Sequence, residues 1–279
     1  MTSVIVPAYN EAAVIGRLLD GLLDDARPDE FEVIVVSNGS TDDTVRVARA
    51  RRDVQVIDLA EPSKHLALIE GDRLATRFPR LYVDADVELD TASARALVVA
   101  LQTPGIHAVA PERVLHLEDS SWMVRSYFQV WSRLPAVQEG LFGRGVLGVD
   151  EQGFGRVSQR PELLGDDLFL HTQFASDERR IVDDSRSVVR APRTTADLLR
   201  RRVRAVQGNA QLRTRSGGRT DTTARSGRTV LSLAAREPRM WLCLPAFFGV
   251  TLYARLHACR LRRSGNNDMT WLRDESSRR

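Results

Sequence analysis

The run Ser3–Val4–Ile5–Val6–Pro7–Ala8, with Glu11–Leu23 behind it carrying Val14, Leu18 and Leu22 at helical spacing, decides the fold. An apolar run of strand length without polar alternation is what a strand buried on both faces looks like. The same pairing recurs down the first half of the chain. Glu32–Ser37 (EVIVVS) precedes Thr41–Ala50, Val54–Leu59 precedes Lys64–Thr76, and Arg80–Asp84 (RLYVD) precedes Thr91–Leu101. Ile106–Ala110 is a fifth strand candidate. Strand and helix in turn predict βαβ units, hence an α/β fold with a mostly parallel sheet flanked by helices. In such a sheet a nucleotide-type ligand sits at the carboxyl ends of the strands.

Beyond Pro111 the pattern loosens. Ser120–Arg133 reads as an amphipathic helix rich in aromatics, and Trp122, Tyr127 and Trp131 at that spacing are expected in the core. The glycine-rich stretch Gly140–Gly155 (GLFGRGVLGVDEQGFG) predicts loop and short strand. Leu163–Phe174 predicts a helix with Asp166 and Asp167 in its first turn, and Thr194–Leu212 a basic helix capped by Thr194 or Thr195. Arg213–Arg228 reads as a Ser/Thr/Gly/Arg loop.

Composition narrows the class. With 43% hydrophobic and 28% charged residues the chain buries a real core and is neither disordered nor fibrous. Two cysteines, Cys243 and Cys259, make no disulfide framework, so a reducing compartment is expected, and no basic segment ahead of Ser3 reads as a secretory leader. The five histidines lack zinc-ligand spacing. The net charge of +3 is unevenly placed: between Arg190 and Arg239 thirteen arginines face three acids.

Three strings can carry chemistry. Asp84–Ala85–Asp86 ends an apolar strand, and two carboxylates one residue apart at such an end can gather a hard divalent cation, whose other positions go to phosphates and water. The competing reading is an acidic turn. Asn38–Gly39–Ser40–Thr41–Asp42–Asp43–Thr44 offers Gly39 for a tight turn and Ser40 or Thr41 as a helix cap. Gly165–Asp166–Asp167 is a second acid pair, which reads equally as acids placed at a helix start.

Taken together, SVIVPAYNEA, VIVVSNGSTDDT and YVDADVELD resemble the family 2 glycosyltransferases of the GT-A fold, and they occur in that family's order between Ser3 and Gln211. The resemblance implies an inverting, metal-assisted transfer of a sugar from a nucleotide-diphosphate donor to an acceptor hydroxyl, with Mn²⁺ or Mg²⁺ as cofactor. It implies that Pro7, Tyr9 and Glu11 hold the base and ribose, with Lys64 bordering the donor. It also implies that Asp86 is the metal ligand and that Asp84 reaches ribose or metal. Where the family has an acid facing the nucleobase, this chain has Ser37–Asn38, and Asn38 offers an amide instead. Asp167 matches the catalytic base, with Asp166 as its neighbour; a carboxylate beside another carboxylate is a stronger base. Arg201 and Arg204, within Arg200–Arg204, match an arginine-rich motif bordering the pyrophosphate, although the tryptophan that often follows is replaced by Ala205. Gly143–Arg144–Gly145 is expected to bound the acceptor pocket.

Met240–Ala254 (MWLCLPAFFGVTLYA) is apolar nearly all round, but some fifteen residues reach roughly 22 Å, short of a ~30 Å hydrocarbon core. A segment lying on the inner leaflet with its arginines at anionic headgroups is therefore expected, the alternative being a helix packed on the catalytic domain. The reading divides the chain into a catalytic domain over 1–212, a flexible linker over 213–239 and an apolar segment with polar tail over 240–279. It expects a cytoplasmic protein at the inner face of the membrane. Its partners are a nucleotide sugar, a glycan, lipid-linked or small-molecule acceptor, peripheral lipid contact and no nucleic acid. Two rivals remain: a non-catalytic, membrane-associated nucleotide-sugar-binding protein, and a nucleotidyltransferase, whose glycine- and basic-rich phosphate loop is missing at Ala8–Glu11.

Overall fold

Strand β1 (Thr2–Ala8) is buried along its whole length and lies between two parallel neighbours, β2 (Phe31–Asn38) and β4 (Arg80–Val83). The computed structural model describes residues 1–163, 166–215 and 227–263. The period-two alternation of a strand divides β1 and β2 between two cores. Val4, Val6, Val33 and Val35 pack against α1 (Ile15–Leu23), whose Ile15, Leu18, Leu19 and Leu22 form its inward stripe. Ile5, Ile34 and Val36 face the other way, onto Ala67 and Leu68 of α3 (Lys64–Leu74). This is the three-layer arrangement that the unbroken apolar runs predicted.

The sheet has eight strands in the order β3-β2-β1-β4-β7-β6-β8-β5. Here β3 is Val54–Leu59, β5 Val87–Glu88, β6 Ala108–His116, β7 Val146–Val149 and β8 Arg179–Arg190. Among the described residues four pairings are parallel and three, β4 with β7, β6 with β7 and β5 with β8, are antiparallel. Only Asp84, Ala85 and Asp86 separate β4 from β5, yet the two strands stand at different places in that order. The sheet must therefore roll round on itself, and the acid pair sits where it closes. Strand order reverses between β1 and β4, the point at which open α/β sheets bind ligands.

Two elements differ from expectation. Glu151–Val157 is helix α7 despite its two glycines, because Asp150 caps it by accepting from Gly153 N at 2.6 Å. Gly153 is also required there, since a Cβ would lie 2.3 Å from His107 O. β8 is not apolar enough to be recognised: its fully buried positions include Ser185 and Ser187, whose hydroxyls donate to Ser93 O and Arg144 O.

The second half builds a helical layer. Helices α5 (Trp122–Trp131), α9 (Thr195–Arg215), α10 (Gly227–Arg236) and α11 (Leu244–Arg263) share a core of Tyr127, Phe128, Trp131, Leu198, Val230, Met240 and Phe247, and Trp122 is exposed. Within the stretch read as a linker, α9 continues to Arg215 and Gly227–Arg236 is helical, with Val230 and Ala234 buried. Helix α11 has two apolar faces. Leu244, Phe247, Val250, Ala254 and Ala258 are buried, whereas Phe248, Leu252, Tyr253 and Leu256 are exposed.

The tight seat of α3 on β1 can be tested. A Cβ on Gly71 would stand 2.4 Å from Cγ2 of fully buried Ile5. Alanine gains up to about 1 kcal/mol of helix propensity over glycine. Overpacking against a stiff β-branched neighbour costs about 1–3 kcal/mol. Gly71→Ala is expected to lower stability by about 1–2 kcal/mol in urea denaturation; an unchanged midpoint would show that α3 has slack.

Candidate active site

The ends of β1 and β2 are stitched together. Asn10 takes a left-handed backbone (φ 52°), which its short side chain tolerates, and its Oδ1 accepts from Thr41 N at 2.8 Å while its own N donates to Ser40 Oγ at 3.1 Å. Ser40 and Thr41, expected as caps for α2 (Thr44–Arg49), thus serve this crossing instead. Asp42 takes over at the helix, accepting from Thr44 N at 3.0 Å. Glu11 is buried beneath the turn, its N donating to Thr44 Oγ1 at 2.8 Å and its carbonyl receiving Val14 N and Ile15 N. Tyr9 lies half-buried just before it.

Asn38 is also buried, and its Nδ2 donates to Ala8 O at 2.9 Å. The donor side of the amide is therefore engaged in holding β1. Beside it, Ser37 Oγ donates to Asp58 Oδ1 at 3.0 Å, across the β2–β3 register. An acid therefore does stand at this turn, supplied by the neighbouring strand. Asp58 escaped the sequence reading, and only the parallel register of Ser37 with Asp58 could have revealed it.

The acids at the sheet closure meet α8 (Asp166–Thr172) through one loop, residues 140–145. Asp84 N donates to Gly145 O at 2.8 Å, and Gly143 N donates to Asp167 Oδ2 at 2.8 Å. Both glycines have positive φ, +67° and +69°, and a Cβ on Gly145 would lie 2.2 Å from Val87 Cγ1. Arg144 between them is buried, and all three of its guanidinium nitrogens donate, to the carbonyls of Gly140, Pro111, Val137 and Gln138, so it braces the loop from the cavity wall. Leu141 N donates to His171 Nδ1 at 3.3 Å.

Lys64 Nζ donates to Asp84 Oδ1 at 2.8 Å. Pro7, Lys64, Asp84, Gly143, Arg144 and Asp167 line one small cavity of about 50 Å³. Half-buried Asp86 lies two residues on from Asp84, in a turn closed by Val87 N on Asp84 O. The side chain of Asp166 lies outside the described residues, as does Gly165. The donor set suits a hard divalent cation. Asp84 and Asp86 bring carboxylate oxygens, and among the described residues no third Asp, Glu, His or Cys completes an all-protein cage. That composition fits an ion finished by phosphate and water and does not fit a structural zinc site.

The arginines of α9 part company around the helix. Arg200 pairs with Asp197, Arg202 lies over the Tyr127 ring at 5.7 Å, and Arg204 lines a second cavity next to Lys64. Arg201 is close enough to Arg113 to disfavour its charge. Burial, joined by Arg144 and Arg201, pushes the Arg113 guanidinium down to about 9, and Arg113 itself sits 4.4 Å over the Trp131 ring with Nη1 donating to Gly143 O. Arg160 was not singled out in the sequence, yet it borders both cavities.

Comparison with known proteins accords with this geometry. The family described as Glycosyl transferase family 2 matches residues 3–158. The 4,4'-diaponeurosporenoate glycosyltransferase of Staphylococcus aureus strain bovine RF122 / ET3-1 is 39% identical over 90 residues, 30% of this chain. That match spans only 24% of the relative's length. Among solved structures, mannosyltransferase PcManGT from Pyrobaculum calidifontis, determined with GDP-Man and Mn²⁺, superposes with TM-score 0.61 at 20% identity, covering 99% of this chain and 84% of its own. Glucosyl-3-phosphoglycerate synthase from Mycobacterium tuberculosis, determined with Mn²⁺, UDP and glucosyl-3-phosphoglycerate, superposes with TM-score 0.57 at 21% identity, over 79% and 81% of the two chains. At these identities the likeness establishes a shared GT-A fold.

His171 makes the loop anchor testable. Burial, with Arg179 adding to it, pushes its imidazole from 6.5 down to about 4, so the fold holds the neutral ring. A depressed folded value means stability is complete above about 6.5, declines as pH falls, and has lost this contribution below about 4, a difference of order 3 kcal/mol. His171→Asn keeps an acceptor for Leu141 N without the titration. Its denaturation free energy should therefore fall less steeply between those pH values than that of the parent. Parallel pH profiles would remove His171 from the account.

Proposed function

The chain belongs to glycosyl transferase family 2, and on that premise we propose that it moves a sugar from a nucleotide-diphosphate donor to an acceptor hydroxyl with inversion, assisted by Mn²⁺ or Mg²⁺. The observation that carries this reading is the loop that links Asp84 and Asp167, by hydrogen bonds from Asp84 N to Gly145 O and from Gly143 N to Asp167 Oδ2. It brings the strand-end acid Asp84 and a second carboxylate, Asp167, to one cavity.

Each group then has a role in one in-line displacement. Pro7, Tyr9, Glu11 and Asn38 frame the base and ribose at the ends of β1 and β2, with Asp58 as the acid nearest that turn. Asp86, with Asp84, would hold the cation, which when bound supplies positive charge beside the departing diphosphate. Lys64 sets the Asp84 carboxylate and adds a cation of its own at the donor wall, while Arg201 and Arg204 offset the remaining phosphate charge. Asp167, kept in place by Gly143 N, accepts the acceptor hydroxyl's proton as its oxygen attacks the sugar carbon opposite the leaving group. Asp166 stands next to that base as its neighbour. Mn²⁺ and nucleotide sugars in the neighbouring structures support the choice of cofactor and donor.

The reading extends to location. Trp241, Leu242, Phe248, Leu252, Tyr253 and Leu256 leave an exposed apolar face on the Pro238–Arg262 helical segment, with Arg255 among them. We place that face on a membrane surface at the cytoplasmic leaflet, with aromatics and arginine at the headgroup level. The acceptor is then met at or near that surface.

Two variants test the assignment. Asp86→Ala is expected to abolish the Mn²⁺-dependent thermal stabilisation that a matching nucleotide sugar gives by mass action. Unchanged affinity in calorimetry would reject Asp86 as ligand. Asp167→Asn is expected to retain that stabilisation while turnover falls about 10²–10⁴-fold. Wild-type turnover in this variant would place the base elsewhere.

A further inference from the structure

The second cavity, about 620 Å³, lies against the first and shares Lys64 and Arg160 with it. It is bounded by the start of α3, residues 160–163, α9 and the end of α11. Its volume suits an organic ligand, not merely water. Lys64, Arg160, Arg204 and Arg262 stand in its wall against Glu162 as the acid among the described lining residues.

Arg160 is the decisive group. The residue is 4% exposed, and one edge of its guanidinium is spent within the protein, Nη2 donating to Asp72 and, at 3.1 Å, to Tyr82 OH. Among the described residues its Nε and Nη1 have no hydrogen-bond partner. Asp72 is already shared: its Oδ1 accepts from buried Arg80 at 3.0 Å and from Tyr82 OH at 2.8 Å. Two buried guanidiniums therefore divide one carboxylate, and among the described residues no second acid pairs with either. A buried cation lacking a full counter-charge is costly, and unmade donors add to that cost. On α9, Gln207 lines the same cavity at 6% exposure with Oε1 unpartnered.

We infer that this cavity is the acceptor subsite and that the acceptor carries a phosphate group, which Arg160 receives through the unused edge of its guanidinium with Arg262 closing on it from α11. Guanidiniums arriving from separate elements match an anion with several oxygens, and Arg binds phosphate in the paired geometry that Lys cannot. Gln207 Oε1 would accept from a hydroxyl of the ligand body. Naming this anion the acceptor rests on the glycosyl-transfer reading; the existence of the anion site does not.

The test uses the full chain. Inorganic phosphate and glycerol 3-phosphate should raise its melting temperature, with glycerol inert, and should do so equally when Mn²⁺ with UDP or GDP is present. Arg160→Lys and Arg262→Ser should each need about tenfold more phosphate for half the effect. Near-UV circular dichroism checks that each variant is folded; should Arg160→Lys fail to fold, Arg262→Ser alone decides. Equal phosphate response in the variants overturns the site, and so does displacement of phosphate by the nucleotide, which would make it the donor's own diphosphate subsite. Vesicles with and without phosphatidic acid separate the sources. Retention by phosphatidic acid that Arg160→Lys abolishes assigns a lipid phosphate and response to glycerol 3-phosphate a soluble one, whereas retention that survives Arg160→Lys without any glycerol 3-phosphate response overturns the proposal, as does response to neither. A phosphate response that needs Arg160 in a protein that binds no nucleotide sugar would leave this site standing while the donor reading fails.

Discussion

The backbone of a six-residue loop is the constraint on which the site depends. Gly145 O holds the backbone of Asp84 on one side and Gly143 N holds the Asp167 carboxylate on the other, so the loop backbone ties the strand end to the helix α8 acid. Everything around the loop serves to keep it there. Arg144 spends its whole guanidinium on four carbonyls, Ser187 takes Arg144 O from behind, and His171 receives Leu141 N. The two positive-φ glycines allow the path, and the contact of Gly145 with Val87 lets the loop lie against the strand that follows the acids. A reaction whose base must lie within hydrogen-bond reach of a proton cannot tolerate a loop that wanders by an ångström.

Much of this was legible in the sequence, for a physical reason. Strands buried on both faces leave unbroken apolar runs, so β1, β2 and β4 were recognisable, and with them the positions of Pro7, Asn38 and Asp84 at their ends. What could not be read was anything whose meaning comes from a partner far away in the chain. Ser185 and Ser187 look like surface residues until Ser93 O and Arg144 O are seen to satisfy them. Asp58 is an exposed strand residue whose place beside Ser37 only the register reveals. Arg160 carries no motif at all, and its significance arises from Asp72 being shared. The bracing by Arg144 was equally hidden, because the four carbonyls that hold its guanidinium are brought to it by the fold.

The basic density of the second half resolves by the same logic. On α9 the arginines are distributed round the helix, each with a different neighbour: an acid for Arg200, another guanidinium for Arg201, an aromatic face for Arg202, a cavity for Arg204. Such a distribution does not present one continuous stripe to a polyanion. It braces the helical layer at two positions and sets Arg204 in the wall of the larger cavity. Helix α11 divides its duties likewise, one apolar side completing the core around Tyr127, which stacks on Phe247 at 5.4 Å, and the other side left outward.

Charge balance ties these parts into one account of the proposed reaction. The two adjoining cavities are divided: carboxylates at the β4 end and on α8, cations on α3 and α9 and at Arg160. Neither half is at ease alone. Burial and like charge push Arg113 down to about 9, and Arg160 shares with Arg80 the one carboxylate it pairs with among the described residues. A divalent ion answers the acids, and a diphosphate answers both the ion and the guanidiniums, so donor and cation are each more welcome when the other is present. The surplus positive charge then left in the larger cavity is the ground for the anionic acceptor we propose, because a neutral one would leave Arg160 as costly after binding as before. Charge left unbalanced inside the fold is in this sense a record of the ligand the fold was shaped to receive.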